Sequence, residues 1–267
     1  MKPVTVWTIR QRRWSVFWWS LALVILIIFT MAFYPTIRDQ ADQLEKSFSQ
    51  LSNTTVSLFS DTKQIFSPVG YLSSQIFYLT LPMILSVLTI GLGSSLIAKE
   101  EESGTIEMLL ARPLARGRLI LGKTLAALAI LGIVSFWALL SLLIMAKLVS
   151  ITVPLPAIIM AMLAAMAMAL LFGAISFMVT CLGRTARAAS IGIAALFAVG
   201  GYIISSLSEA VSWLRWPSVI SPFHYYHPAE ILSGDYHLEE LAGLVGVSLL
   251  LGVISWWAFR RRDLGGS

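Results

Sequence analysis

The sequence predicts an all-α, polytopic membrane protein with about six transmembrane helices, and three observations predict it. First, 57% of the 267 residues are hydrophobic and only 12% are charged, against ~25% charged in an ordinary soluble domain. A water-soluble fold of this size cannot hide that much apolar surface. Second, six intervals carry no Asp, Glu, Lys or Arg: Trp14–Ile37, Gln64–Ala98, Thr124–Ala146, Leu148–Gly183, Ala188–Ser208 and Leu241–Phe259. Each reaches or nearly reaches the ~20 apolar residues that cross a bilayer. A charge at mid-membrane costs ~2.5–3.5 kcal/mol on insertion scales, so their absence is informative. Third, the cations are distributed asymmetrically. With the N-terminus inside, the outer segments hold only Arg38, Lys46, Lys63, Lys147 and Arg215, leaving 14 of the 19 Lys and Arg on the inner side. That bias places both termini in the cytoplasm.

One transmembrane domain over residues 1–267 follows, with spans at about 14–35, 76–98, 122–146, 157–181, 187–208 and 241–260. The inner loop between spans two and three covers 99–121, and the outer loops cover 36–75 and 209–240. The first apolar run is long, and Tyr34-Pro35 offers no small-residue cleavage site, so a span is expected there rather than a cleaved leader. A net charge of +5 raises nucleic acid as a partner, but the excess sits beside apolar runs, where topology accounts for it. One cysteine, Cys181, excludes an intrachain disulfide and a cysteine-based metal cage.

Taken in order, the N-terminal stretch mixes Trp7, Ile9, Trp14, Phe17 and Trp18 with Arg10, Arg12 and Arg13. This pattern suits a helix at the inner interface that anchors span one, with Trp7, Arg10 and Arg13 facing headgroups. Beyond span one, Ile37, Ala41, Leu44, Phe48 and Leu51 recur at helical spacing, an amphipathic outer helix. Asn53-Thr54-Thr55 matches a glycosylation acceptor that a bacterial protein leaves bare. The second and fourth charge-free runs exceed one helix, so their surplus, Gln64–Gln75 and Leu148–Pro156, is expected at the interface.

Gly117 to Thr124 matches the phosphate-loop pattern G-x-x-x-x-G-K-[ST]. The chemistry of that pattern needs a buried strand before it and a helix after it, inside a soluble α/β domain. Here Pro113 precedes it and the segment enters the membrane, so the match is spurious. Span four carries Ala157, Ala161, Ala165, Ala169 and Gly173 at every fourth position, a row that lets a neighbouring helix approach closely. Met160, Met162, Met166 and Met168 lie among them and suit packing of irregular shape. The outer loop before span six holds Trp213, Trp216, Phe223, Tyr225, Tyr226 and Tyr236, expected at headgroup depth. His224, His227, Glu230, Asp235 and His237 make a metal conceivable there, but the prolines and tyrosines favour an interfacial loop and no metal.

The inner loop reads Lys99, Glu100, Glu101, Glu102, Ser103, Gly104, Thr105, Ile106, Glu107, Met108, Leu109, Leu110, Ala111, Arg112, Pro113. Ile106, Leu109 and Leu110 make an apolar face on a piece too short to cross, and such a face needs a partner. With Arg116, Gly122-Lys123 and the terminal Phe259-Arg260-Arg261-Arg262-Asp263-Leu264, this loop resembles the membrane subunit of type-two ABC exporters, the six-span permeases of antibiotic and multidrug efflux systems. The resemblance covers essentially the full chain. It implies a cytoplasmic coupling helix in the inner loop that docks in a separate ATPase subunit. Glu100, Glu101, Gly104, Thr105, Glu107, Leu110, Arg112 and Pro113 would serve that coupling. It further implies two ATPase copies, a second permease chain in a homodimer, and a plasma-membrane location. ATP and Mg would be bound by the ATPase and no cofactor by this chain, which is no enzyme. The absence of charge within the spans points to a hydrophobic or amphiphilic cargo and away from a proton-coupled carrier. A lipid or lipid-linked glycan exporter is the alternative within transport. Outside transport, an intramembrane enzyme or a non-transporting membrane anchor remains, although the spans offer an enzyme little beyond Ser, Thr and Cys181.

Overall fold

The computed structural model describes residues 2–40, 66–96, 116–182, 187–208 and 211–261. Among these residues the secondary structure is helical, with no strand. Six helical stretches are long and apolar enough to cross a membrane: Arg13–Asp39, Pro68–Ser95, Gly117–Leu148, Leu155–Leu182, Arg187–Leu207 and Leu238–Arg261. They are called spans one to six below. In hydrocarbon each backbone N–H and C=O must find its partner inside the protein, and a helix meets that demand within one segment. A separate N-terminal helix, Lys2–Gln11, precedes span one and breaks from it at Arg12, where φ is −101° and ψ is 10°.

The second charge-free run is divided by its own sequence. Pro68 starts a short helix at an N-cap made by Ser67, whose Oγ accepts from the Gly70 N–H at 3.0 Å. A π-helical segment follows over Ser73–Phe77, and a regular helix resumes at Thr80–Ser95. Pro82 lies in the first turn of that helix, where a missing N–H costs nothing, so the break falls just upstream at Leu79. The surplus expected at the interface over Gln64–Gln75 is therefore partly helix that packs inward: Tyr71, Leu72 and Ser73 are buried. After span three the chain turns through Ser150, at φ 57°, and stays non-helical to Pro154 before span four begins.

Spans two and four form the centre of the bundle. They pack on each other along their length, and both are far more buried than spans one, five and six. Span one leans on span three, while spans five and six lean on span four. The main core runs through Leu23, Ile27 and Met31 of span one, Leu81 and Leu85 of span two, and Phe172 of span four. The outer loop before span six folds back into this core. Phe223 packs against both Phe172 and Tyr202, tilted to the first ring and edge-on to the second, at ring-centroid distances of 6.0 and 5.6 Å. The loop aromatics, all expected at headgroup depth, thus divide. Trp213, Trp216, Tyr225 and Tyr236 are exposed, whereas Phe223 and Tyr226 are buried. The inward pair is anchored: the Tyr226 hydroxyl donates to the Phe77 carbonyl at 2.7 Å, and Ser221 Oγ donates to the Gly201 carbonyl at 2.8 Å.

Candidate functional site

The segment 97–115, with Glu100, Glu101, Gly104, Thr105, Glu107, Leu110, Arg112 and Pro113, lies outside the described residues. The framework that holds its two ends is described. Span two ends at Ser95 with Leu96 as its C-cap, so the Leu96 carbonyl is among the last four of the helix, which have no partner within it. Lys123 Nζ donates to that oxygen at 2.9 Å, and the lysine side chain is buried. A buried cation is tolerated only with polar partners, and a helix C-terminus, carrying partial negative charge, is a favourable one. Lys123 thus ties the start of span three to the end of span two, immediately on either side of the undescribed segment.

The N-terminal helix completes the junction. Thr5 Oγ1 donates to the Gly122 carbonyl at 3.0 Å. A Cβ at Gly122 would lie 3.2 Å from Val4 Cβ, so glycine lets the two helices meet closely. Arg12, at the break before span one, donates from Nη2 to Ser95 Oγ at 2.5 Å, and Ser95 Oγ itself donates to the Leu92 carbonyl at 2.9 Å. Beneath these bonds sits a small apolar cluster of Leu96, Ile120, Phe177, Cys181 and Phe259. Trp7, Arg10 and Arg13 are on the exposed side of the same helix region, with the Arg13 guanidinium 6.0 Å from the Trp14 ring. The basic and aromatic pattern of the sequence singles out these three exposed residues but does not mark Thr5, Arg12, Ser95 or Lys123 as contacts. The position of Lys123, one residue ahead of a long apolar run, was the available signal.

The phosphate-loop-like stretch Gly117–Thr124 is helix throughout, within Arg116–Leu148. The helix ladder engages its N–H groups beyond the first turn, and its lysine turns inward to Leu96. Helix thus stands over Gly117–Thr124 in place of the phosphate-cradling loop that the pattern's chemistry requires.

The small-residue row of span four, Ala157, Ala161, Ala165, Ala169 and Gly173, is buried along its whole length. Its inner half meets span two: Thr89 Oγ1 donates to the Ala169 carbonyl at 2.5 Å, and Ser176 Oγ donates to the Ile90 carbonyl at 3.1 Å. A Cβ on Gly173 would lie 2.8 Å from Thr89 Cβ. In the outer loop, His237 Nε2 bonds Glu230 Oε2 at 2.8 Å, which raises the His237 pKa above its ordinary value. Among the described residues, no three His, Cys, Asp or Glu side chains gather as a metal site.

The geometry is therefore a six-helix membrane body, a surface helix beside its N-terminus, and a hydrogen-bonded clamp at the base of one loop. Among curated proteins and among solved structures, none matches this chain. A family model described as ABC-2 family transporter protein matches residues 8–264. The chain belongs to that family, as a multi-pass membrane subunit of an ABC transporter.

Proposed function

We propose that this chain is the transmembrane subunit of an ATP-driven exporter that moves a hydrophobic or amphiphilic molecule, of drug, antibiotic or polyketide type, across the plasma membrane. A separate ATPase, in two copies, supplies the work with ATP and Mg. The observation that carries the reading is the junction around Lys123. Three elements that would feel a docked ATPase are joined at one place: the N-terminal helix, the end of span two and the start of span three. A push on the loop 99–121 then moves two spans and the surface helix as one body instead of bending the loop alone.

Within the loop, Glu101, Gly104, Thr105 and Glu107, with Glu100, Leu110, Arg112 and Pro113, form the docking element. Both termini face the cytoplasm, where the excess of Lys and Arg lies. A second permease copy covers the apolar faces that spans one and five leave open, including Phe29 and Phe33 on one and Leu196 and Phe197 on the other. The charge-free spans favour apolar cargo.

The test is copurification with a coexpressed ABC ATPase, comparing the native chain with Glu107→Lys. The expected result is a complex whose ATP hydrolysis rises at least several-fold over the ATPase alone, and loss of that rise with Glu107→Lys while the permease still elutes as a single species. Equal hydrolysis with and without the chain, and no complex, would sink the proposal.

A further inference from the structure

A cleft of about 490 Å³ opens between spans three and six, which otherwise touch little. Its floor is made by Gly93 of span two and Gly173 and Phe177 of span four. Its lining is almost wholly apolar, and its rim residues Leu121, Leu128, Leu249 and Val253 are exposed, so it opens sideways. On spans two, three and four the lining lies in the half of the span nearer the two termini, and on span six it reaches from Trp256, near that end, past the middle of the helix. On span six the lining runs from Val245 to Trp256, a rise of roughly 16 Å at 1.5 Å per residue. That equals one leaflet of a hydrocarbon core ~30 Å thick. The shape is thus a groove one leaflet deep, facing lipid.

The end of the groove carries positive charge. Arg260 continues the lining stripe of span six by one helical turn past Trp256, and its guanidinium lies 4.7 Å from the Trp256 ring. Arg118 lies in the first turn of span three, beside rim residue Leu121, and both arginines are exposed. Among the described residues neither forms an ion pair. Apolar walls about one leaflet long, ending at guanidinium groups that form no ion pair among the described residues, match a molecule with a single hydrocarbon chain at depth and an anionic phosphate at the interface.

We propose that this cleft seats one acyl chain of an anionic phospholipid from the leaflet on the side of the termini, with its phosphate held by Arg260 and Arg118. The lipid fills the gap between spans three and six directly above the Lys123 junction, so its presence stiffens the body to which the loop is attached.

Gly252 provides a direct test. It lines the cleft, and a Cβ there would meet nothing within 4 Å, so Gly252→Leu can send its side chain into the open space of the groove. Gly246 is equally open but lies off the lining, which makes Gly246→Leu the control. Delipidated full-length protein in detergent is titrated with phosphatidylglycerol or with phosphatidylcholine of the same chains, and bound lipid is counted by native mass spectrometry. The native chain and Gly246→Leu are expected to retain one phosphatidylglycerol at least tenfold more tightly than phosphatidylcholine. Gly252→Leu should lose that lipid, and Arg260→Gln should reduce phosphatidylglycerol to the level of phosphatidylcholine. Arg260→Gln alters an exposed side chain, so the charge arm stands even if Gly252→Leu fails to fold. Equal retention of the two lipids by the native chain would overturn the proposal, as would unchanged retention by a folded Gly252→Leu. Displacement of the lipid by inorganic phosphate alone, or a dimer that Gly252→Leu dissociates, would also overturn it.

Discussion

At the scale of single residues, the junction depends on polar groups in an apolar setting. Lys123 is buried beside the end of span two, and its ammonium satisfies a carbonyl that the helix cannot. Lys123→Ala leaves that buried acceptor without the bond and opens a gap, a loss of about 1–3 kcal/mol. Lys147→Ala, at the exposed far end of the same helix, should cost less than about 1 kcal/mol. Thermal unfolding of both variants in detergent measures the contrast, and equal shifts would refute the role given to Lys123. A second residue-scale expectation concerns pH. The bond to Glu230 raises the His237 pKa from 6.5, so the folded state holds the proton more tightly than the unfolded chain. The resulting stabilisation is complete below the ordinary value of 6.5 and is lost as pH rises through the raised value. Because the pair is exposed, the effect is small. Glu230→Gln should lower the melting temperature at mildly acidic pH and leave it unchanged at alkaline pH, as a pH series of melting curves would show.

At the scale of elements, the contact between spans two and four sets the centre of the bundle. Gly93 and Gly173 face each other there, and a Cβ on Gly93 would collide with the Gly173 carbonyl oxygen. Close approach of backbones is what small residues provide in membranes, where apolar side chains gain nothing by leaving lipid. Gly93→Ala should therefore cost about 1–3 kcal/mol through overpacking. Gly91→Ala, two residues away with open space around its Cβ, should be neutral or slightly stabilising. The comparison is read by melting temperature and by the yield of a single eluting species. Part of this element was legible beforehand: the row from Ala157 to Gly173 is visible as a period of four. Its partner was not, because a period marks a face without naming what meets it. Gly93 belongs to no such row, and only the fold sets it opposite Gly173.

At the scale of the whole molecule, six charge-free intervals were sufficient for the class of fold, since hydrocarbon penalises charge and unpaired backbone groups so strongly that the pattern is written directly in composition. The family match over residues 8–264 agrees with that architecture. The division of the second run was also implicit, in Pro68 and Pro82, although the chain uses the upstream piece as packed helix rather than as interfacial surplus. The loop aromatics show the limit of composition: Tyr226 and Tyr236 are the same residue type in one loop, yet one is buried on the Phe77 carbonyl and the other is exposed. What the sequence alone determined was the number of membrane-spanning helices, their apolar character and the uneven placement of cations, because each follows from the transfer energy of a residue between water and lipid. What only the tertiary structure decided was the Thr5, Arg12 and Lys123 junction and the cleft between spans three and six. Both depend on which helices become neighbours, and that is set by shape complementarity among residues far apart in the chain, for which transfer energies are nearly equal.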